Sequence, residues 1–360
     1  MVKKIRYSLF LRLLAYIFRK PSHAASSRNI RKIAVLRPGK IGDMLVATPF
    51  FEAAFDNGIK DITVICSSYN EIVIRHNPYV RELKAVNFHN MFQVIRLTLW
   101  LRRERFDLIV DLTPGMSNTC FLISRCAGAG VALAGLHKKN VADEYDYVFD
   151  LDDRHMVDQN IALVEKITGK PISRSYQMKI AAPPEACRDA ELFIHRLNET
   201  HADSSMFVGI NLSAGAKIRQ WNADRYEKLI EKLLRNPVAV VLFAVEDQAE
   251  WALNFADRYQ NVETVPRSSL IIVSEIIRHL QLFISPDTSL ISIASSHNVP
   301  VAGMYIDHKQ TLMRWSPYNV PHEIIRAPEG TTVNEISPRE VYAAAVLLLK
   351  EVYNVTLRPE

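Results

Sequence analysis

Short apolar runs alternate with amphipathic stretches along the first half of this 360-residue chain. The apolar runs predict strands at residues 33–36, 62–66 and 107–112. The amphipathic stretches predict helices at residues 43–56, 91–105, 117–127 and 156–168. Because strands that alternate with helices are typical of βαβ units, this half is predicted to form a parallel sheet. An acidic run at residues 143–153 interrupts the pattern, and we expect a solvated surface loop there.

The alternation restarts after a proline-bearing stretch at residues 171–184, which we interpret as a linker. Strands are predicted at residues 206–212, 238–244, 282–285 and 299–304. Helices are predicted at residues 223–235, 248–259, 270–279, 290–297 and 338–353. Two such halves predict an α/β protein with two Rossmann-like domains facing across a cleft. A ligand is expected there, at the carboxyl ends of both sets of strands.

The net charge of +5 is unevenly distributed. Residues 1–32 carry nine basic residues and no acidic one, which leaves the remainder of the chain at −4. A mildly acidic body argues against nucleic-acid binding. The four cysteines lack metal-ligand spacing and are interpreted as reduced thiols of a cytosolic protein, and no metal site is expected.

The basic N-terminal segment, residues 1–31, is also rich in Leu, Ile, Phe and Tyr between positions 5 and 18. This apolar stretch is too short to span a bilayer, and Arg12 interrupts it. We interpret it as a helix that lies on an anionic membrane surface. The alternatives are a helix that packs on the protein's own second domain and a cleaved signal peptide.

The turn after the first predicted strand carries the first candidate chemistry. It contains Pro38-Gly39 and Gly42 but matches neither GxGxxG nor the P-loop pattern. Asp43 lies at the mouth of this turn and is a candidate base. Arg37 and Lys40 flank it, and both are candidates to bind phosphate or other anionic groups.

Two strand-to-helix junctions in the second half are candidate phosphate sites. In the first, Ser213, Gly215 and the following amides can surround a phosphate, and Lys217 and Arg219 supply charge. In the second, a helix begins at Asp287 or Thr288 and presents Ser289 and Ser292 one turn apart. The alternatives are a solvated surface loop for the first junction and a well-capped helix for the second.

Residues 37–49 resemble the opening motif of glycosyltransferase family 9, the ADP-heptose:lipopolysaccharide heptosyltransferases. The resemblance covers residues 32–350 and recurs at residues 106–112, 155–157, 213–221, 286–300 and 314–317. It implies a GT-B fold with an acceptor domain at residues 32–175, a nucleotide-sugar domain at residues 185–337 and a final helix within residues 338–360. It also implies inverting transfer of heptose from ADP-heptose to the lipopolysaccharide core, without metal or cofactor. The acceptor is lipid-linked, and we expect the basic N-terminal segment to hold the enzyme at the cytoplasmic face of the inner membrane.

The resemblance also assigns site residues. Asp43 corresponds to the proposed general base, and Arg37, Lys40 and Gly42 are expected to bind the acceptor. Arg219 corresponds to a lysine that contacts the donor phosphate. Asp287, Thr288, Ser289 and Ser292 correspond to the segment that holds the nucleotide diphosphate, and Ser213, Gly215 and Lys217 complete the donor set.

Three positions depart from the family pattern. Ser289 replaces a glycine, Ser292 replaces a histidine, and Arg219 replaces the lysine. Together these changes add a Cβ and remove a possible cationic hydrogen-bond donor from one pocket. They indicate a different nucleotide-sugar, a shifted mode of phosphate binding or weaker catalysis. The alternatives to a transferase are a relative that binds sugar-nucleotide or core oligosaccharide without turnover, and a GT-B epimerase.

Overall fold

The computed structural model describes residues 30–115, 117–126, 131–138, 142, 144–150, 153–204 and 206–358. The predicted membrane-surface helix therefore lies outside the described residues. The chain divides into two compact units between Tyr176 and Gln177. Each unit has its own parallel sheet.

The first unit is built on six parallel strands in the order β3-β2-β1-β4-β5-β6. The strands are β1 (Lys32–Arg37), β2 (Asp61–Cys66), β3 (Glu82–Ala85), β4 (Leu108–Asp111), β5 (Ala132–Leu136) and β6 (Tyr147–Phe149). The described helices are α1 (Ile41–Leu45), α2 (Thr48–Asp56), α3 (Met91–Glu104), α4 (Asn118–Cys126) and α5 (Met156–Thr168).

The second unit repeats this topology, in the order β12-β11-β10-β7-β8-β9. Its strands are β7 (Met206–Asn211), β8 (Val238–Phe243), β9 (Val262–Thr264), β10 (Leu282–Pro286), β11 (Val301–Tyr305) and β12 (His322–Arg326). Its helices are α6 (Pro184–Thr200), α7 (Ala223–Leu233), α8 (Glu246–Ala256), α9 (Leu270–Ile277), α10 (Ser289–Ser296), α11 (Lys309–Trp315) and α12 (Pro338–Tyr353).

Both sheets have the strand order of a doubly wound Rossmann-like domain, which confirms the predicted α/β class. The central strands are buried along nearly their whole length, as expected for a sheet covered by helices on both faces. Each sheet reverses its winding direction between two central strands, β1 and β4 in one unit and β7 and β10 in the other. The ends of these strand pairs are the topological switch points, where such folds bind ligands.

The single helix predicted over residues 43–56 is wrong. The structure has two helices there, α1 and α2, separated at Val46 and Ala47. Pro49 has no N–H to donate to the carbonyl of Leu45, and the Thr48 hydroxyl donates to that carbonyl instead (2.8 Å). The proline therefore ends α1 after little more than one turn.

The solvated loop predicted over residues 143–153 is also wrong in part. Tyr147–Phe149 forms the edge strand β6. The Glu144 carboxylate pairs with the nearly buried Arg125 (2.8 Å), and Asp146 accepts the backbone N–H of Leu133 (2.7 Å). These acidic residues thus attach the last strand to the sheet.

No helix in the described ranges is both long enough and apolar enough to cross a bilayer.

His297 is a half-buried titratable group at the carboxyl end of α10. Its Nε2 lies 2.8 Å from the hydroxyl of Ser274 on α9. Burial, assisted by the positive charges of Arg278 and His279, lowers the pKa of His297 to about 4. The folded second unit therefore favours the neutral form of this imidazole.

We expect this imidazole to make stability depend on pH. The unfolded chain binds a proton at a pKa near 6.5, so the stabilisation is complete above that pH and is lost as the pH falls towards 4. Between pH 7 and pH 5 the loss amounts to about 2 kcal/mol. Thermal unfolding of His297→Gln should show a weaker pH dependence than the parent, whereas the exposed control His76→Gln should match the parent. Equal pH dependence in all three proteins would contradict the prediction.

Candidate active site

Arg37 closes the switch point of the first unit. Its side chain is fully buried at the end of β1. Its Nη1 donates to the backbone carbonyl of Leu112, just beyond the end of β4, and its Nε donates to the backbone carbonyl of Asp43 (2.8 Å). Burial lowers the pKa of this guanidinium, and the carboxylates of Asp43 and Asp111 oppose the shift. One buried cation therefore links β1, β4 and α1.

The carboxylate of Asp43 is held in place over the turn. Its Oδ2 accepts the backbone N–H of Lys40 (2.7 Å), and its Oδ1 lies 3.5 Å from Nη2 of Arg37. The side chain remains about one quarter exposed, so it is both fixed and accessible to solvent. A carboxylate that is both fixed and accessible is chemically able to accept a proton.

Gly39 makes the position of Asp43 possible. A Cβ on residue 39 would overlap the Asp43 carboxylate and would lie only 2.8 Å from the Asp43 Cβ. The turn can fold this closely over the carboxylate only because residue 39 has no side chain.

Asn70, in the loop after β2, holds the same turn. Its buried carboxamide donates to the backbone carbonyl of Arg37 (2.9 Å). Its Oδ1 accepts both the backbone N–H and the hydroxyl of Ser67 (3.0 Å each). The loop after β2 is thereby tied to the end of β1.

A buried ion pair lies beside this turn. Asp111 and Lys138 are each about 1% exposed, and Nζ of Lys138 lies 2.9 Å from Asp111 Oδ2. Lys138 also donates to the backbone carbonyls of Thr113 (2.9 Å) and Gly115 (2.6 Å). The hydroxyl of Tyr145 lies 3.4 Å from Asp111. The pair fixes the segment that follows β4.

One expected acceptor-binding residue of the first unit is buried. Arg37 was expected to bind acceptor, but its buried guanidinium contacts Asp43 and Leu112 and is not exposed to solvent. These contacts indicate that Arg37 positions Asp43. Lys40 is exposed at the turn, and Gly42 is half-buried in α1.

Asn211 closes the switch point of the second unit. It lies buried at the end of β7, and its Nδ2 donates across to Ser285 Oγ (2.9 Å) and Thr288 Oγ1 (3.1 Å). Thr288 in turn caps α10 by accepting the N–H of Leu290 (3.3 Å). Asn211 therefore links the end of β7 to the start of the helix that follows β10.

The structure brings Arg219 and Asp287 together. Nη1 of Arg219 donates to both the backbone carbonyl (2.9 Å) and the carboxylate (3.0 Å) of Asp287. Both side chains are partly exposed. The bonds through Nη1 orient the planar guanidinium, and the N–H donors of Nη2 and Nε can still bind an anion.

The remaining predicted donor residues lie on the same two junctions. Ser213 follows β7, and its hydroxyl accepts the N–H of Val245 beyond β8 (3.0 Å). Gly215 and Lys217 are exposed, and Lys217–Arg219 forms a short 3-10 turn. Ser289 and Ser292 are half-buried in the first turns of α10.

Several residues that build these two sites were not predicted from the sequence. They are Gly39, Asn70, Asp111, Lys138, Asn211 and Ser285. One signal was available: Asp111 and Asn211 are polar residues directly at the end of buried apolar strands, where a ligand or a network must satisfy them. Lys138 follows a strand that the pattern did not reveal.

Among the residues that the structure describes, there is no cluster of three or more side chains of the metal-ligating types.

Known proteins place this chain in a family. Residues 94–340 match the sequence model of glycosyltransferase family 9 (heptosyltransferase). The chain is 22% identical over 302 residues to "Lipopolysaccharide heptosyltransferase 3" of Escherichia coli, covering 77% of this chain and 84% of that protein.

Two solved structures share the architecture. A glycosyl transferase of family 9 from Veillonella parvula has a TM-score of 0.76 at 19% identity, covering 91% of this chain and 99% of that chain. The ADP-heptose lps heptosyltransferase II of E. coli has a TM-score of 0.69 at 18% identity, covering 89% and 99%. These likenesses confirm the expected GT-B fold. Since the family model spans well over half of the sequence, the chain belongs to glycosyltransferase family 9, the heptosyltransferases, and is a glycosyltransferase.

Proposed function

We propose that this glycosyltransferase moves a heptose from ADP-heptose to the lipopolysaccharide core, with inversion and without a metal ion. The observation that carries the proposal is the Asp43 carboxylate, fixed over Gly39 by the Lys40 N–H and beside the buried Arg37. The names of the curated relative and of the E. coli heptosyltransferase II support lipopolysaccharide as acceptor and ADP-heptose as donor.

Asp43 acts on the acceptor alcohol in this mechanism. Its carboxylate takes the hydroxyl proton while the acceptor oxygen forms a bond to the anomeric carbon. The bond from that carbon to the diphosphate breaks at the same time, and the nucleoside diphosphate leaves with the electron pair. Because attack and departure occur on opposite faces, the anomeric configuration inverts.

The second unit stabilises the departing diphosphate. Arg219, oriented by Asp287, supplies a planar cation, and the N-terminal amides of α10 supply oriented dipoles. Lys217 adds charge from the exposed loop, with Ser213 and Gly215 beside it. Thr288, Ser289 and Ser292 contribute hydroxyls around the same helix end.

Acceptor binding falls to groups at the surface of the first unit. Lys40 is the exposed cation of the turn and is suited to an anionic sugar or phosphate of the core, with Gly42 next to the base. The basic N-terminal segment would hold the enzyme at the inner leaflet of the inner membrane, where a lipid-linked acceptor lies. The enzyme would then work as a peripheral cytoplasmic protein.

The departures at Ser289 and Ser292 bear on rate and donor choice. A serine in place of the family histidine keeps a hydrogen-bond donor but loses a possible positive charge beside the leaving group. We therefore propose that the two serines change how the nucleotide-sugar is bound and do not abolish turnover. The motif around Asp43, complete in this chain, favours the transferase over a non-catalytic binder.

Replacing the base should separate chemistry from donor binding. Asp43→Asn keeps an oxygen for the Lys40 N–H but cannot accept a proton at neutral pH. We expect transfer to fall by about 10²- to 10⁴-fold with unchanged donor affinity, measured by nucleotide release and by calorimetry. The matched control Asp61→Asn removes a carboxylate outside the site and should leave transfer intact. An active Asp43→Asn enzyme would refute the assignment of the base.

Gly39→Ala tests whether the carboxylate must be held where it is. The added methyl group displaces the Asp43 side chain, so kcat should fall at least about tenfold, because misplaced catalytic groups lose much of their effect. Donor affinity should not change, because Gly39 lies in the first unit. Unchanged kcat in a folded variant would show that the close packing of turn and carboxylate is dispensable.

A donor screen tests the nucleotide and the sugar. ADP-heptose should raise the melting temperature more than UDP- or GDP-sugars, and it should support transfer to truncated lipopolysaccharide. Arg219→Ala should abolish most of that thermal shift, since it removes the oriented cation. The ADP-heptose assignment fails if another nucleotide-sugar stabilises and reacts better. Release of nucleoside diphosphate in the absence of acceptor would instead support an epimerase-like or hydrolytic enzyme.

A further inference from the structure

The outward face of helix α3 carries large apolar side chains in solvent. Met91, Phe92, Ile95 and Leu99 are 69%, 80%, 49% and 48% exposed. Their spacing of about one helical turn places them on one side of α3. Single exposed apolar residues are ordinary, but four on one helix face form a patch that marks an interaction surface.

This face belongs to a helix that is already fixed. Leu97 and Leu101, on the opposite side, are buried in the core of the first unit. Asn90 caps the helix by accepting the N–H groups of Phe92 (3.0 Å) and Gln93 (3.3 Å). The helix therefore does not need to fold when something covers its outer side, which lowers the entropic cost of binding.

The charges around the patch have one predominant sign. Arg96, Arg102, Arg103 and Arg105 are all exposed on or directly after α3. The neighbouring acid Glu104 pairs with Lys32 (2.9 Å). Apolar side chains flanked by arginines suit a surface that is apolar inside and negatively charged outside, as an anionic bilayer is.

The chain enters the fold at the same place. The backbone N–H groups of Arg31 and Lys32 donate to the Asp107 carboxylate (2.9 Å each), and Nζ of Lys32 donates to the backbone carbonyl of Glu104 (2.8 Å). Arg31 and Lys32, which end the basic N-terminal part of the chain, therefore lie beside the carboxyl end of α3. An anionic membrane surface that binds the basic N-terminal segment would therefore also lie near α3.

We propose that the outward face of α3 is a membrane-docking surface that inserts Phe92, Ile95 and Leu99 into an anionic lipid bilayer. The inference rests on the proposed function, in which the acceptor is lipid-linked. A second copy of this chain is disfavoured as the occupant, because a two-fold contact would bring the arginines of both copies together. One weak anchor gives only marginal binding, and α3 would supply the second signal besides the N-terminal segment.

Vesicle binding by the full chain tests the docking surface. The parent should co-sediment with phosphatidylglycerol–phosphatidylethanolamine vesicles and much less with phosphatidylcholine vesicles. Phe92→Ser/Leu99→Ser and Arg96→Glu/Arg103→Glu should each weaken partitioning at least about tenfold. The controls Leu192→Ser and Arg188→Glu/Arg235→Glu alter exposed residues of the second unit and should bind as the parent does. Circular dichroism checks that all variants are folded.

A tryptophan probe locates the contact. Fluorescence of Phe92→Trp, after subtraction of the parent signal, should be quenched by brominated anionic lipids, whereas that of Leu192→Trp should not. Vesicle binding that both α3 variants retain would overturn the proposal and leave the N-terminal segment as the anchor. Concentration-dependent dimers that the α3 variants abolish would overturn it in favour of a second copy.

These results are independent of the proposed reaction. The α3 variants should keep the parent rate on a soluble, lipid-free acceptor. A protein that docks through α3 but transfers no heptose would keep this inference and refute the proposed function. A protein that transfers heptose but does not bind vesicles would support the proposed function and refute this inference.

Discussion

Each sheet reverses its winding direction between two neighbouring strands, and the ends of those strands must be joined by something other than the chain. In the first unit the buried guanidinium of Arg37 makes this link, from β1 to the carbonyl of Leu112 after β4. In the second unit the buried carboxamide of Asn211 makes it, from β7 to Ser285 and Thr288. A buried polar group is costly unless it is bonded, so each link also dictates the shape of the loops around it.

The two units share one strand topology but carry charged pairs of opposite arrangement. In the first, a buried cation lies beneath a carboxylate that stays accessible, which suits the removal of a proton. In the second, the carboxylate of Asp287 orients the guanidinium of Arg219, which suits a negative charge that grows on a leaving group. In each unit a guanidinium and a carboxylate lie together, and the more exposed partner is the carboxylate in the first unit and the guanidinium in the second.

Buried central strands and long capped helices could be predicted from the sequence. Helix α12 is an example, since Ser337, Pro338 and Glu340 mark its start and its apolar face is continuous. Short edge strands such as β6 could not, because polar residues pair there with distant groups. The burial of Arg37 was also beyond the pattern, because it depends on a contact with Leu112, 75 residues away. Motif spacing located Asp43, but the need for glycine at residue 39 appears only in three dimensions.

The ion pair between Asp111 and Lys138 has a consequence for how this protein can vary. Each side chain neutralises the other in the interior, and loss of either one alone would strand a buried charge at a cost of about 3–5 kcal/mol. Two apolar side chains of matching volume would leave no buried charge, but they would remove the donor that the carbonyls of Thr113 and Gly115 share. A joint replacement of Asp111 and Lys138 is therefore expected to destabilise the protein less than the loss of either side chain alone.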